Sequence, residues 1–204
     1  MHPALNVSSK EACRFCDLGA YETPILSSAA GIVVPSVGSM VAGWELVFPT
    51  SHVSSLAELN EDAWLGFSRL LSSARGDLER KFGPTILFEH GSAGFGRTAA
   101  CGVDHAHMHV VPMSLDLRGA VRNVAATVGS FEWRGVQERV LSRENQDYIY
   151  LEDHSGKWVT YADNLPSQVV RRAIAHQLGL AGWDWKTNPR LSVMERTRQK
   201  LGEI

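Results

Sequence analysis

No run of apolar residues approaches the roughly 18–20 needed to span a bilayer as a helix, so a membrane-spanning helical role is excluded. The amino terminus also lacks the basic-then-apolar pattern of a secretory signal, and a cytoplasmic protein is expected. Cysteine is scarce, with 3 in 204 residues, which excludes a disulfide framework. Neither sign of charge dominates: 20 Lys/Arg against 22 Asp/Glu leave a net charge of -2, too little for a global footprint on duplex nucleic acid. Internal repeats and low-complexity linkers are missing as well.

What remains is an ordinary globular composition, 44% apolar and 21% charged, enough for one generous domain or a domain with an extension. Charge is nonetheless uneven. Residues 165–204 carry seven Lys/Arg and three acids, a surplus of four positive charges on a chain that is otherwise negative. A solvated helix surface is the plain explanation; an anionic substrate is the alternative.

Strands are expected at Gly31 to Pro35 and at Trp44 to Phe48, where Pro49 closes the second. Ser55-Leu56-Ala57-Glu58 has the form of a capping box, and Trp64, Phe67, Leu70, Leu71, Ala74 and Leu78 follow at helical spacing until Gly83-Pro84. Another strand is expected from Ile86, a Gly-rich loop over 91–102, then a strand from Asp104 to Val111 stopped by Pro112. Tyr148 to Leu151 and Lys157 to Tyr161 form an expected hairpin around Asp153 to Gly156. Ser167 and Ser192 are expected to cap two C-terminal helices, the first ending at Gly179. The reading is α+β: an antiparallel sheet with one long helix in residues 1–146, and a hairpin with a helical extension, 147–204, packed on the same domain.

The segment that asks for a chemical reason is His105-Ala106-His107-Met108-His109. Alternate side chains of a strand share a face, so three imidazoles project together and core packing is forfeited. Two chemistries fit: presentation to a metal, or attack by one imidazole on phosphorus while its neighbours orient it and steady the leaving group. Cys13-Arg14-Phe15-Cys16 is equally open by itself, as a redox pair, half of a metal site or two buried thiols.

His105-Ala106-His107-Met108-His109-Val110-Val111-Pro112 resembles the signature of the histidine triad superfamily. Gly43 to Pro49 followed by His52, and Phe88-Glu89-His90-Gly91 before a Gly-rich loop, match the order of elements in that family, so the likeness runs from about Cys13 to Pro112, roughly half of the chain. The resemblance implies cleavage or transfer of nucleotides at the α-phosphorus, with His107 as nucleophile and His109 bonding phosphate or leaving-group oxygens. Zinc-containing bacterial members, and the distantly similar galactose-1-phosphate uridylyltransferases, imply a structural zinc held here by Cys13, Cys16, His52 and His105. The implied partner is a nucleotide or nucleotide conjugate, and a homodimer with paired sheets is common in the family.

Departures from the pattern concern the substrate. Cys101 and Gly102 stand where hydrolases of the family place side chains on the transferred phosphate, leaving Gly102 only its backbone N–H; Ser92, Arg97 and Thr98 in the lengthened loop are the expected replacements. Glu89 replaces an amide next to the substrate, where a carboxylate repels phosphate unless turned away. Trp44 stands in place of a histidine after Gly43. Two other functions stay open at this level: a hydrolase whose three histidines hold a catalytic zinc, and a nucleotide-binding module without turnover.

Overall fold

The computed structural model describes residues 13–18, 23–96, 103–125, 132–137, 139–140, 146–162 and 167–202. Its strands are β1 (Leu26–Ser28), β2 (Gly31–Pro35), β3 (Glu45–Pro49), β4 (Thr85–Gly91), β5 (Met108–Pro112), β6 (Arg134–Gly135), β7 (Asp147–Asp153) and β8 (Gly156–Ala162). Helices are α1 (Glu61–Phe82), α2 (Leu117–Ala125), α3 (Val169–Gln177) and α4 (Leu191–Gly202). The strands form one sheet in the order β1-β2-β3-β5-β4-β7-β8-β6, with every pairing antiparallel. The fold is therefore α+β, and the C-terminal hairpin β7–β8 extends the sheet beside β4 through pairs such as Glu89 with Tyr150.

Both faces of the sheet are covered, which explains why its central strands read as apolar runs with little alternation. On one face Val33, Val47, Leu87, Met108 and Val110 pack beneath Phe67, Leu70 and Leu78 of α1. The other face carries Trp44, Ile86, Phe88, Val111 and Ile149, covered by Leu117 and Val121 of α2 and Val170, Ala173 and Ile174 of α3. Asp153 at the hairpin joins the two halves of this layer, its Oδ2 accepting a 2.9 Å bond from the Leu117 N–H at the start of α2. That bond satisfies one of the donors a helix leaves open at its beginning. Among the described residues no helix is long and apolar enough to cross a membrane.

Several boundaries differ from the sequence expectation for local reasons. Ser55 and Glu58 do pair, the Ser55 N–H donating to Glu58 Oε1 at 3.1 Å, but they open only a 3₁₀ turn at Leu56–Glu58. The backbone turns extended at Leu59, and α1 starts afresh with Asn60, whose side chain accepts from the Ala63 N–H at 2.9 Å. α3 is preceded by Gln168 in the left-handed region, φ 57°, and not capped by Ser167. α4 already includes Leu191, so Ser192 lies inside its first turn. The ladder of the histidine strand begins at Met108, because β3 pairs with β5 only as far as Val47 opposite Met108. His105 to His107 are held instead by the bond from the Ala106 N–H to the Val53 carbonyl, 2.8 Å.

Glu45 on β3 is an energetic cost within this sheet. It is 2% exposed, its Oε2 has no hydrogen-bond partner among the described residues, and burial, with Asp77 nearby, pushes its carboxyl up to about 8 from an ordinary 4.5. The folded chain thus holds this proton more tightly than the unfolded one. Its contribution to stability is full below pH 4.5 and is lost as pH rises towards about 8. Glu45→Gln should flatten the fall in thermal midpoint between pH 5 and pH 8; an unchanged slope in melts across that range would contradict the assignment.

Candidate functional site

Cys13 and Cys16 sit in a tight turn in which the N–H groups of Cys16 and Asp17 both donate to the Cys13 carbonyl at 3.0 Å. That turn aims both thiols at the entrance to the histidine strand. Cys13 Sγ lies 3.5 Å from His105 Nδ1, and Cys16 Sγ lies 3.3 Å from His52 Nδ1 and 3.6 Å from His105 Nδ1. The donor atoms of Cys13, Cys16, His52 and His105 all fall within 4.8 Å of one another. Zinc bonds of about 2.0–2.3 Å in a tetrahedron give ligand–ligand edges of about 3.3–3.8 Å, and the three separations above lie in that interval. The second nitrogen of His105 donates to the Pro49 carbonyl at 2.9 Å, which fixes the tautomer with Nδ1 turned to the thiols. A carbonyl behind a ligating imidazole is the usual support of a metal site. His52 is stacked on Phe95 at 4.7 Å, and its Nε2 has no partner among the described residues. Two thiols and two imidazoles in this arrangement fit a closed zinc site.

Two residues further along, His107 Nδ1 lies 2.7 Å from the His105 carbonyl. A carbonyl only accepts, so Nδ1 carries the proton and Nε2 of the neutral ring presents a lone pair. Burial holds the imidazolium down to about 4, so the ring is neutral near pH 7. His109 is arranged the other way. The indole Nε1–H of Trp44 donates to His109 Nδ1 at 3.0 Å, which leaves the His109 proton on Nε2. That nitrogen is buried and has no protein partner among the described residues. Phe88 stacks on the ring at 4.1 Å and locks its plane. Adjacent imidazoles, 4.9 Å apart between centroids, therefore present one acceptor and one donor.

His107 and His109 open into a narrow cavity of about 30 Å³, room for a few water molecules, whose wall includes Arg14, Phe15, Leu46, Arg171 and Trp185. The site residues named from sequence distribute unevenly around it. Cys13, Cys16, His52 and His105 come together, and His107 and His109 share the cavity. Glu89 does not join them. It projects to the α1 face of the sheet beside Leu87 and Met108, where its carboxylate accepts from the Leu56 N–H at 2.7 Å and the Tyr148 hydroxyl at 2.6 Å. The period of two on β4 is the reason: Phe88 and His90 take the histidine face and Glu89 the opposite one. Ser92 is buried but does not line the cavity, and its hydroxyl donates to the Gly94 carbonyl at 2.6 Å. Arg97, Thr98 and Gly102 lie outside the described residues.

Arg14 and Trp185 were not legible as parts of a site: Arg14 falls between two cysteines, and Trp185 is indistinguishable in sequence from a core aromatic. Trp44 stood out as a departure after Gly43, but its bond to His109 did not. A larger cavity, about 240 Å³, lies on the α1 face between Trp64, Arg75, Glu89, Arg139, Tyr148 and Tyr150. It contains none of His105, His107 and His109.

No protein-family profile matches the chain, and no curated protein sequence does. Among solved structures the chain is similar to a histidine triad nucleotide-binding protein, hypothetical, from Sulfolobus tokodaii, with 18% identity and a TM-score of 0.39 over 48% of this chain and 62% of that one. It is also similar to a histidine triad family hydrolase from Clostridium thermocellum, with 20% identity and a TM-score of 0.40 over 52% of this chain and 93% of that one. A hypothetical protein from Leishmania major aligns at 22% identity and a TM-score of 0.42 over 53% of this chain and 77% of its own.

One equivalent of zinc per chain is the expected metal content of the purified protein. Cys16→Ser and His52→Ala should each abolish it and lower the thermal midpoint by about 10 °C, corresponding to about 3–5 kcal/mol for a chain of this size. Metal analysis that finds zinc retained in both variants would rule out the four-ligand set.

Proposed function

We propose that the chain is a nucleotidyl hydrolase or transferase of histidine triad type, acting at the α-phosphorus of a nucleotide phosphoanhydride, phosphoramidate or phosphoester. The observation that carries this reading is the opposed protonation of the two cavity histidines: His107 bonded through Nδ1 to the His105 carbonyl, His109 through Nδ1 to the Trp44 indole. The signature over 105–112 supports it.

In the first step the Nε2 lone pair of His107 attacks phosphorus, and the bond from phosphorus to the leaving group breaks with its electron pair going to that group. The imidazole Nδ1–H, held by the His105 carbonyl, keeps the ring aligned and shares the positive charge that develops on it. His109 Nε2–H donates a hydrogen bond to an oxygen on which negative charge gathers. Water or another acceptor then attacks the phosphoramidate, the N–P bond breaks, its pair returns to His107 Nε2, and the acceptor's proton leaves to solvent or to the departed group. Splitting one difficult displacement into two is the gain from a covalent intermediate. Bound at Cys13, Cys16, His52 and His105, zinc would supply structural bracing two residues from the nucleophile. The reading in which all three histidines hold a catalytic metal fares worse, because His105 has both nitrogens engaged elsewhere and the Trp44 indole takes the lone pair of His109 at Nδ1.

Incubation of the zinc-loaded chain with an adenylyl or guanylyl phosphoramidate or phosphoanhydride should give an acid-labile nucleotidylated protein detectable by mass. His107→Ala should remove the adduct and keep the zinc. An intact protein that forms no adduct with any such donor would turn the reading towards a binding module, and joint loss of zinc and adduct in His107→Ala towards a catalytic metal.

Trp44→Phe keeps the ring against Phe88 but deletes the donor to His109 Nδ1. Adduct formation should slow by about ten-fold or more, within the range for losing one positioned donor, while far-ultraviolet dichroism stays parental. A Trp44→Phe variant as fast as the parent would show that the His109 tautomer does not matter.

A further inference from the structure

Arg171 is the third residue of α3 and is 1% exposed, so a guanidinium is enclosed between that helix and the sheet. Its Nε donates to the Trp183 carbonyl at 3.2 Å, an Nη donates to the Gly38 carbonyl, and its carbon lies 4.7 Å from the centre of the Trp44 ring. The same indole donates to His109 Nδ1. One side chain thus sets both the tautomer of His109 and the plane of Arg171, and both open on the cavity that holds His107.

The surroundings keep the group fixed. Gly38 has φ +72°, and a Cβ there would come within 2.5 Å of Trp185 Cβ. Its N–H donates to the Pro189 carbonyl at 2.7 Å. The loop after β2 and the segment after α3 therefore close on each other with no space for a larger residue, and Arg171 lies in the seam. Burying a cation is costly unless its environment returns the lost hydration. Carbonyl dipoles and a ring face surround the guanidinium here and keep its plane fixed. Asp184 senses the charge, and its Oδ1 accepts from the Gln168 amide at 3.0 Å and the Lys186 N–H at 3.0 Å. Arg14, from the turn between the two cysteines, lines the same cavity with its guanidinium carbon 4.9 Å from the Trp185 ring centre.

We infer that Arg171, with Arg14 beside the same cavity, is the phosphate-binding group of the histidine site, receiving the non-bridging oxygens of the phosphate presented to His107. This rests on the proposed function for the identity of the reacting group, but the binding itself does not need turnover. A planar fork matches a phosphate in two parallel bonds where an ammonium offers a point charge. At about 30 Å³ the cavity is too small for a base, so the rest of the nucleotide lies outside it. The ligand class is a phosphate ester or anhydride that can place a doubly accepting phosphoryl group deep in a narrow site. The C-terminal extension thereby completes the site.

Inorganic phosphate is the suitable probe, since it can occupy the cavity without transferring a nucleotide. Calorimetric titration of the zinc-loaded full chain should show binding that weakens about ten-fold or more in Arg171→Lys, which keeps the charge and loses the fork. Arg172→Lys, on a side chain that packs 4.0 Å over Trp183, should bind as the parent does. Should Arg171→Lys fail to fold, the Arg171 Nε–H resonance of the parent decides: it should shift during the phosphate titration. A folded Arg171→Lys with parental affinity, an unmoved Nε–H at saturation, or a parent that binds no phosphate would each overturn the inference. Phosphate binding through Arg171 in a chain that forms no nucleotidyl adduct would leave this site standing and remove the covalent mechanism.

Discussion

His105 has both ring nitrogens committed, and the geometry of the histidine strand hangs on that fact. Its Nε2 is held by the Pro49 carbonyl at 2.9 Å and its Nδ1 faces the Cys13 and Cys16 thiols at 3.5 and 3.6 Å. An imidazole so fixed also fixes its own peptide group, and the carbonyl of that group is the acceptor for His107 Nδ1 at 2.7 Å. The metal-type cluster and His107 are therefore one hydrogen bond apart in the same chain of contacts. Phe15, between the two cysteines, sits edge-on to both His105 and His107 at 5.8 and 5.4 Å, so the N-terminal turn packs against the His107 ring as well as bracing its neighbour.

Burial then decides what these rings can do. His107 is 7% exposed and His109 3% exposed. Desolvation holds both below the ordinary imidazole range, His109 strongly so. Neutral imidazoles have one donor and one acceptor each, and the hydrogen-bond partners choose which faces the cavity. The His105 carbonyl and the Trp44 indole make opposite choices. Two chemically identical side chains acquire complementary roles through partners that lie behind them.

The second layer of the sheet brings the C-terminal segment into the site. α3 covers Trp44 and Ile149 through Val170, Ala173 and Ile174, and the same docking places Arg171 at the cavity. A surplus of positive charge at this end of the sequence is thus partly a buried feature and not wholly a solvated helix face. Glu89 shows the converse: a carboxylate one residue from Phe88 and His90 is separated from the histidines by the thickness of the sheet, paired with Tyr148 on the α1 face.

Much of the architecture was legible because it rests on short-range physics. Period 3.6 in α1, Gly and Pro at its end, and turn residues at the β7–β8 hairpin each act within a few residues, and the elements form where those signals stand. Caps were read less well: Ser55, Ser167 and Ser192 have the right chemistry, but which neighbour takes the cap depends on where the chain leaves the preceding element. Residue pattern alone was enough for an α+β chain, for three imidazoles on one face, and for a close pair of thiols whose chemistry stayed open. The family resemblance already pointed to His52 and His105 as partners of those thiols, and the folded chain brings the four together; the folded chain alone shows that His107 and His109 carry their protons on opposite nitrogens, that Glu89 is turned away, and that Arg171 lines the cavity. Except for the His107 bond, which reaches a carbonyl two residues away, those outcomes depend on partners 33 to 133 residues distant in the chain, and no local pattern encodes which distant atom a buried polar group will find.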